Sequence, residues 1–299
     1  MKQGLLYLII LYVWLSNVQA QTPQTDLFIV KIVDENGVRV FGTPQKISIH
    51  KGYNNQPSFS LDGKSIFFNA DPLGNTDVFR YDMQLDSVFV VTKTPVGEYS
   101  PNPIDERRFV AVVVEPDSRQ RLWEYDIRTG TSTLFVEERD SVGYFDILDN
   151  GEIPMFVLGS PQTLRIWNPR TKSERRVDGI PGRSIRKLPG FNGFTFVDTR
   201  HADRHQVIAI DSETLERQVI AQMPEGAQDL LWTPDGTLLA SSGSTIYQFS
   251  TEAGGTWKNM LDLRNFGLAN ISRMAISPDG NTLVLVSVYN TVPPMDEEP

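Results

Sequence analysis

Apolar residues fall along this chain in short bursts separated by polar turns rich in Asp, Asn and Gly. Ser65-Ile66-Phe67-Phe68, Phe109-Val110-Ala111-Val112-Val113, Phe194-Thr195-Phe196-Val197 and Leu283-Val284-Leu285-Val286 are continuous enough to predict strands buried on both faces. Asp77-Val78-Phe79-Arg80-Tyr81-Asp82, Arg121–Asp126 and Gln206–Asp211 predict a second kind of strand, each ending in Asp before a tight turn. No window sustains a 3.6-residue period, which disfavours a helical solenoid.

The bursts repeat. Asp62-Gly63, Asp105-Glu106, Asp149-Asn150-Gly151, Asn192-Gly193, Asp235-Gly236 and Asp279-Gly280 mark one turn, at spacings of 43, 44, 43, 43 and 44 residues. Each unit has a lead-in segment, the turn, an apolar strand, a polar loop, a strand ending in Asp or a similar residue, and a closing strand such as Val88-Phe89-Val90-Val91. Four short strands in about 43 residues predict a propeller blade. The sixth unit has a lead-in and second strand (271–288) but no third or fourth. The chain's start, Asp26–Val33 and Val38–Ile49, holds two strands without a lead-in. The prediction is an all-β, six-bladed β-propeller over 21–290 whose last blade is closed by its N-terminal strands, burying two otherwise open edges.

Ser-Pro-Asp-Gly at 277–280, Thr-Pro-Asp-Gly at 233–236, Ser-Leu-Asp-Gly at 60–63 and the run Gly74–Asp82 resemble the WD40-like repeats of the TolB-like six-bladed propellers, over about residues 26–290. Units three and four depart from that pattern, Gly190-Phe191-Asn192-Gly193 standing where Pro-Asp-Gly is expected. The resemblance implies a fold and a partner protein bound at the channel mouth. It does not extend to the α/β domain that precedes the propeller in TolB itself, for which this sequence has no room.

Residues 1–20 predict a secretory signal peptide: Lys2, the apolar run Gly4–Leu15, and Val18-Gln19-Ala20 as a cleavage site, with an uncleaved anchor as the alternative. Cleavage leaves no integral membrane span and a periplasmic or secreted protein, with 291–299 as a short acidic tail. The 299-residue chain is 40% apolar and 22% charged, enough for a large core, and carries a net charge of −9. Such acidity argues against nucleic acid. With no cysteine, thiolate zinc sites, disulfides and cysteine nucleophiles are excluded.

The candidate chemistry lies on the face where inter-blade connections and the loops between second and third strands emerge. Tyr53, Tyr99 and Tyr144 occupy similar places before successive innermost strands. They predict either an aromatic half-rim, backed by Arg186 and Arg273 across the ring, or packing between blades. Asn55, Glu98 and Gln228 complete the binding-face candidates. His201, Asp203 and His205 in one loop could approach a single cation, though Arg204 opposes one and a solvated polar loop is the alternative. Ser250–Trp257 resembles the Asp-box turn of sialidase-type propellers, a folding element. No Gly-x-Ser-x-Gly elbow exists.

These features predict an exported non-catalytic binding or scaffold protein for an envelope protein, peptide or glycan, with no cofactor. Two alternatives stand beside it. A calcium-dependent lactonase-like hydrolase would need oxygens from residues such as Glu98, Asp146, Asp229 and Asn270 to converge in the channel. A small-sugar sensor would need an aromatic platform in a deep pocket.

Overall fold

The computed structural model describes residues 24–289 apart from Gly37, Leu73 and 251–254. The signal peptide, the acidic tail and the centre of the Asp-box-like segment lie outside the described residues. Six antiparallel sheets succeed one another along the chain. Blade 1 comprises Asn54–Phe59, Ser65–Ala70, Asp77–Asp82 and Ser87–Val90. Blade 2 runs from Gly97–Pro103 to Ser132–Leu134, blade 3 from Val142–Phe145 to Ser173–Val177, blade 4 from Pro181–Lys187 to Arg217–Gln222 and blade 5 from Asp229–Trp232 to Thr256–Asp262.

Blade 6 joins the two ends of the chain. Its inner strands, Leu268–Ile276 and Thr282–Tyr289, pair with each other, and Asp26–Glu35 then pairs with Thr282–Tyr289 in antiparallel register, Leu27 opposite Val286 and Val30 opposite Leu283. Val38–Phe41 and Gln45–Lys46 form the outer edge. The predicted six blades and N-terminal closure are both present.

Each marker turn of the 43-to-44-residue repeat joins an innermost strand to a second strand. The second strands are the apolar ones because both of their faces are covered: all six residues of Ser65–Ala70 and of Gly193–Asp198 are buried. Six hydrophobic clusters result, one between each pair of neighbouring blades. Phe67 and Val78 of blade 1 meet Phe109 and Tyr125 of blade 2. Leu164 and Ile166 of blade 3 meet Phe194 and Ile208 of blade 4. Phe28 and Leu283 of blade 6 meet Leu231 and Leu239 of blade 5.

The turns are built by one side-chain relay. The Ser60 hydroxyl accepts from Ser65 N–H (2.9 Å) and donates to Asp62 Oδ1 (2.7 Å), which also accepts from Lys64 N–H (3.1 Å). Thr233 with Asp235, and Ser277 with Asp279, repeat it. The glycine that follows has φ between +70° and +80° at Gly63, Gly236 and Gly280, a conformation that costs an L side chain about 1 kcal/mol or more. Blade 4 uses another turn: its positive φ falls on Gly190, and Gly193 opens the second strand. That is why its sequence breaks the Pro-Asp-Gly pattern without breaking the period. No helix among the described residues is long and apolar enough to cross a membrane.

Candidate functional site

The innermost strands line the central channel, and five of the six carry a register irregularity against their second strands, at Asn55/Ser58, Tyr99/Asn102, Val142/Tyr144, Pro181/Ile185 and Ala269/Arg273. Gln56, Ser100 and Asn270 take φ near +50° there. A bulge inserts a residue and re-aims its neighbours, so side chains from separate blades turn toward one another across the channel.

A cavity of about 770 Å³ opens at one end of this channel, with walls from blades 6, 1, 2, 3 and 4. Tyr53, Tyr99 and Tyr144 all line it, together with Asn55, Asn75, Thr76, Arg183, Ser272 and Arg273. A second, smaller space of about 260 Å³ continues inward; Tyr144, Arg183 and Arg273 line both, and Arg186, Asp146 and Trp232 line only the inner one.

The tyrosines are held, not splayed. The Tyr99 ring lies close beside Gly97, where an added Cβ would come within 3.0 Å of it, and its hydroxyl is 3.3 Å from Thr76 Oγ1. One face of Tyr144 is covered by the Arg273 guanidinium, 4.9 Å from the ring centroid, and its edge meets Phe156. Burial pushes the Tyr53 hydroxyl up to about 12, opposed by the positive charge of Arg273. Tyr53 precedes its strand, as predicted, whereas Tyr99 and Tyr144 stand within theirs. The bulges bring these unequal positions to one rim.

Charge collects below the tyrosines. Arg273 is 6% exposed and Asp229 1%. Asp229 Oδ2 accepts from Met274 N–H (2.9 Å), fastening blade 5 to blade 6, while its Oδ1 lies 3.5 Å from Arg273 and 3.6 Å from Arg186. Arg183 donates through Nη2 to the Ser272 carbonyl (3.0 Å). Burial presses the Arg273 guanidinium downward in pKa; Asp229 opposes this, and the like charges of Arg183 and Arg186 add to it. Arg183 Nε, Arg273 Nη1, Ser272 Oγ and Asp229 Oδ1 are buried without a hydrogen-bond partner, as is Asn69 Oδ1 beside Tyr53. Buried polar groups are normally satisfied, so their concentration here is the most informative feature of the channel.

Of the remaining predicted positions, Glu98 is fully buried and lines neither space. Its carboxylate accepts from Thr92, from Thr94 (2.9 Å) and from Tyr125 (2.8 Å), bridging blades 1 and 2, and burial raises its pKa. Gln228 is exposed and lines neither space, and no described residue of blade 5 lines the mouth. The oxygens needed for a channel calcium do not converge: Asp146 accepts from Asn102, Ile147 N–H and Lys187 N–H, Asp229 faces arginines, and Asn270 is exposed on the rim. His201, Asp203 and His205 are not gathered either. Among the described residues no three His, Asp or Glu side chains form a metal-holding group, and Asp203 pairs instead with Arg204 at 3.6 Å. Arg183 and Ser272 were not singled out by their sequence. Arg183, like Arg273, stands within an innermost strand at its register irregularity, which the sequence does not display.

No protein-family model matches this sequence, and no curated protein does. Solved structures share its architecture. A protein of Agrobacterium tumefaciens described as a TolB superposes with a TM-score of 0.67 at 13% identity, over 90% of this chain and 99% of that one. A gluconolactonase of Xanthomonas campestris gives 0.62 at 12%, over 90% and 98%. TolB of Acinetobacter baumannii gives 0.58 at 11%, over 90% and 64%. At such identities the likeness extends to the fold alone: the chain has the six-bladed propeller fold of the TolB-like proteins.

Proposed function

We propose that the protein is an exported binding propeller whose channel mouth receives a peptide segment of a protein partner. The observation that carries the reading is the open 770 Å³ cavity rimmed by three tyrosines and floored by buried, incompletely satisfied polar side chains. Its size suits a few residues of peptide. Tyrosine gives large contact area at low entropic cost and keeps a hydroxyl for hydrogen bonding. A glycan fits less well, because sugars stack on open ring faces and one face of Tyr144 is already covered.

The test is a photo-cross-linker placed at Asn270 on the rim, and separately at Asp235 on the opposite face, in protein exposed to envelope extract of the source cells. A discrete adduct from position 270 and none from 235 is the expected result. Adducts from 235 alone would move the interaction to the other face and end this reading.

A further inference from the structure

The unsatisfied groups on the channel floor are mostly of one kind. Arg183 Nε and Ser272 Oγ are buried donors without a hydrogen-bond acceptor, and Arg273 Nη1 has no hydrogen bond, only its 3.5 Å ion contact with Asp229 Oδ1. They belong to neighbouring positions: Arg183 already donates through Nη2 to the Ser272 carbonyl, and Ser272 precedes Arg273. Building on the channel-mouth reading, we infer that the ligand is anchored there by a carboxylate group, held by Arg183, Arg273 and Ser272.

The charge balance supports a single negative charge. Arg183, Arg186 and Arg273 line the inner channel with Asp146, and the buried Asp229 pairs with Arg186 and Arg273 from behind, which leaves three positive charges against two negative ones. Asp146 is committed to two backbone N–H groups and Asn102. Asp71 on the rim holds Gly74 N–H and is partly exposed, so water screens it. A guanidinium cannot relieve its burial by losing a proton at ordinary pH; an arriving anion relieves it. A planar carboxylate presents two acceptors to the guanidinium forks, the strong charge-assisted arrangement. The chain as a whole carries −9, so the floor is a local positive seat in an acidic molecule and admits an acidic side chain at a defined point.

The probes are two immobilised pools of N-acetyl pentapeptide amides with randomised flanks, one with a central Glu and the other with Gln. The protein without its first 20 residues is expected to bind the Glu pool about 10-fold more tightly. Arg183→Gln and Ser272→Ala should each bring that ratio toward one while the melting midpoint stays close to wild type, so that loss of the ratio is not loss of fold. Free glutarate that displaces the Glu pool at equal concentration keeps the carboxylate seat and assigns its occupant to a small dicarboxylate. Equal retention of both pools, abolished by Asn270→Arg at the rim, overturns the carboxylate inference while the mouth remains the binding site. Retention of neither pool overturns both readings.

Discussion

Asp279 and Asp229 carry the same functional group in two surroundings. Asp279, like Asp62 and Asp235, sits exposed in a marker turn and is served by a hydroxyl and a backbone N–H within two residues. Those hydrogen bonds hold its carboxyl below the usual carboxylate range. Asp229 sits in the channel wall, and each of its partners, Met274, Arg186 and Arg273, comes from another blade. The turn carboxylate satisfies itself and specifies a local shape. The channel carboxylate is compensated only once the ring has closed, and even then Oδ1 has no hydrogen bond. Local chemistry makes the blades, and chemistry between blades makes the site.

Removing each kind of group should separate the two roles. Asp229→Ala has the largest expected effect: it strands Arg273 and the Met274 N–H, and breaking a buried pair from one side costs about 3–5 kcal/mol. Urea unfolding should show that loss, with a smaller one for Asp229→Asn, which keeps an acceptor. A loss under 1 kcal/mol for the alanine variant would mean that water compensates the channel arginines.

Glu98→Gln sharpens the comparison through pH. The folded-state pKa of Glu98 is raised, chiefly by burial, so its favourable contribution is complete below the unfolded pKa and is lost as pH rises through the folded value. The glutamine keeps an acceptor for Thr94 and Tyr125. Relative to wild type it should therefore gain stability on going from pH 4 to pH 8. A difference independent of pH would contradict the burial argument.

Asp279→Ala should have the smallest effect, about 1 kcal/mol, because its hydrogen bonds are solvent-accessible. The sign is opposite to that of Glu98. With the folded pKa depressed, the contribution is present above the ordinary carboxylate pKa and is lost as pH falls through the lowered value. Wild type and variant should converge in acid, as followed by denaturant midpoints between pH 2 and 7.

The same division explains what was legible in the sequence. The period, the turn positions and the N-terminal closure depend on local grammar: Ser or Thr two before Asp, Gly after it, and an apolar run next. Those residues make their contacts within a few positions, so the string displays them. Tyr53, Tyr99 and Tyr144 were legible as rim candidates because they sit near innermost strands. That Tyr144 is capped by Arg273, three blades away, was not. Glu98 reads like a rim carboxylate, but the alternation of a bulged strand turns it between blades toward Thr92 and Tyr125. Arg183 and Ser272 carry no local signature, since their significance arises from meeting 89 residues apart.

The most direct test of the account is an NMR titration of the arginine side-chain Nε–H signals with N-acetyl-Gly-Glu-Gly amide. The account predicts that Arg183 and Arg273 shift together, while Arg108 and Arg175, which are already hydrogen-bonded to carboxylates, stay where they are. Shifts spread evenly over exposed arginines, or none at Arg183 and Arg273, would contradict a built anion seat in the channel.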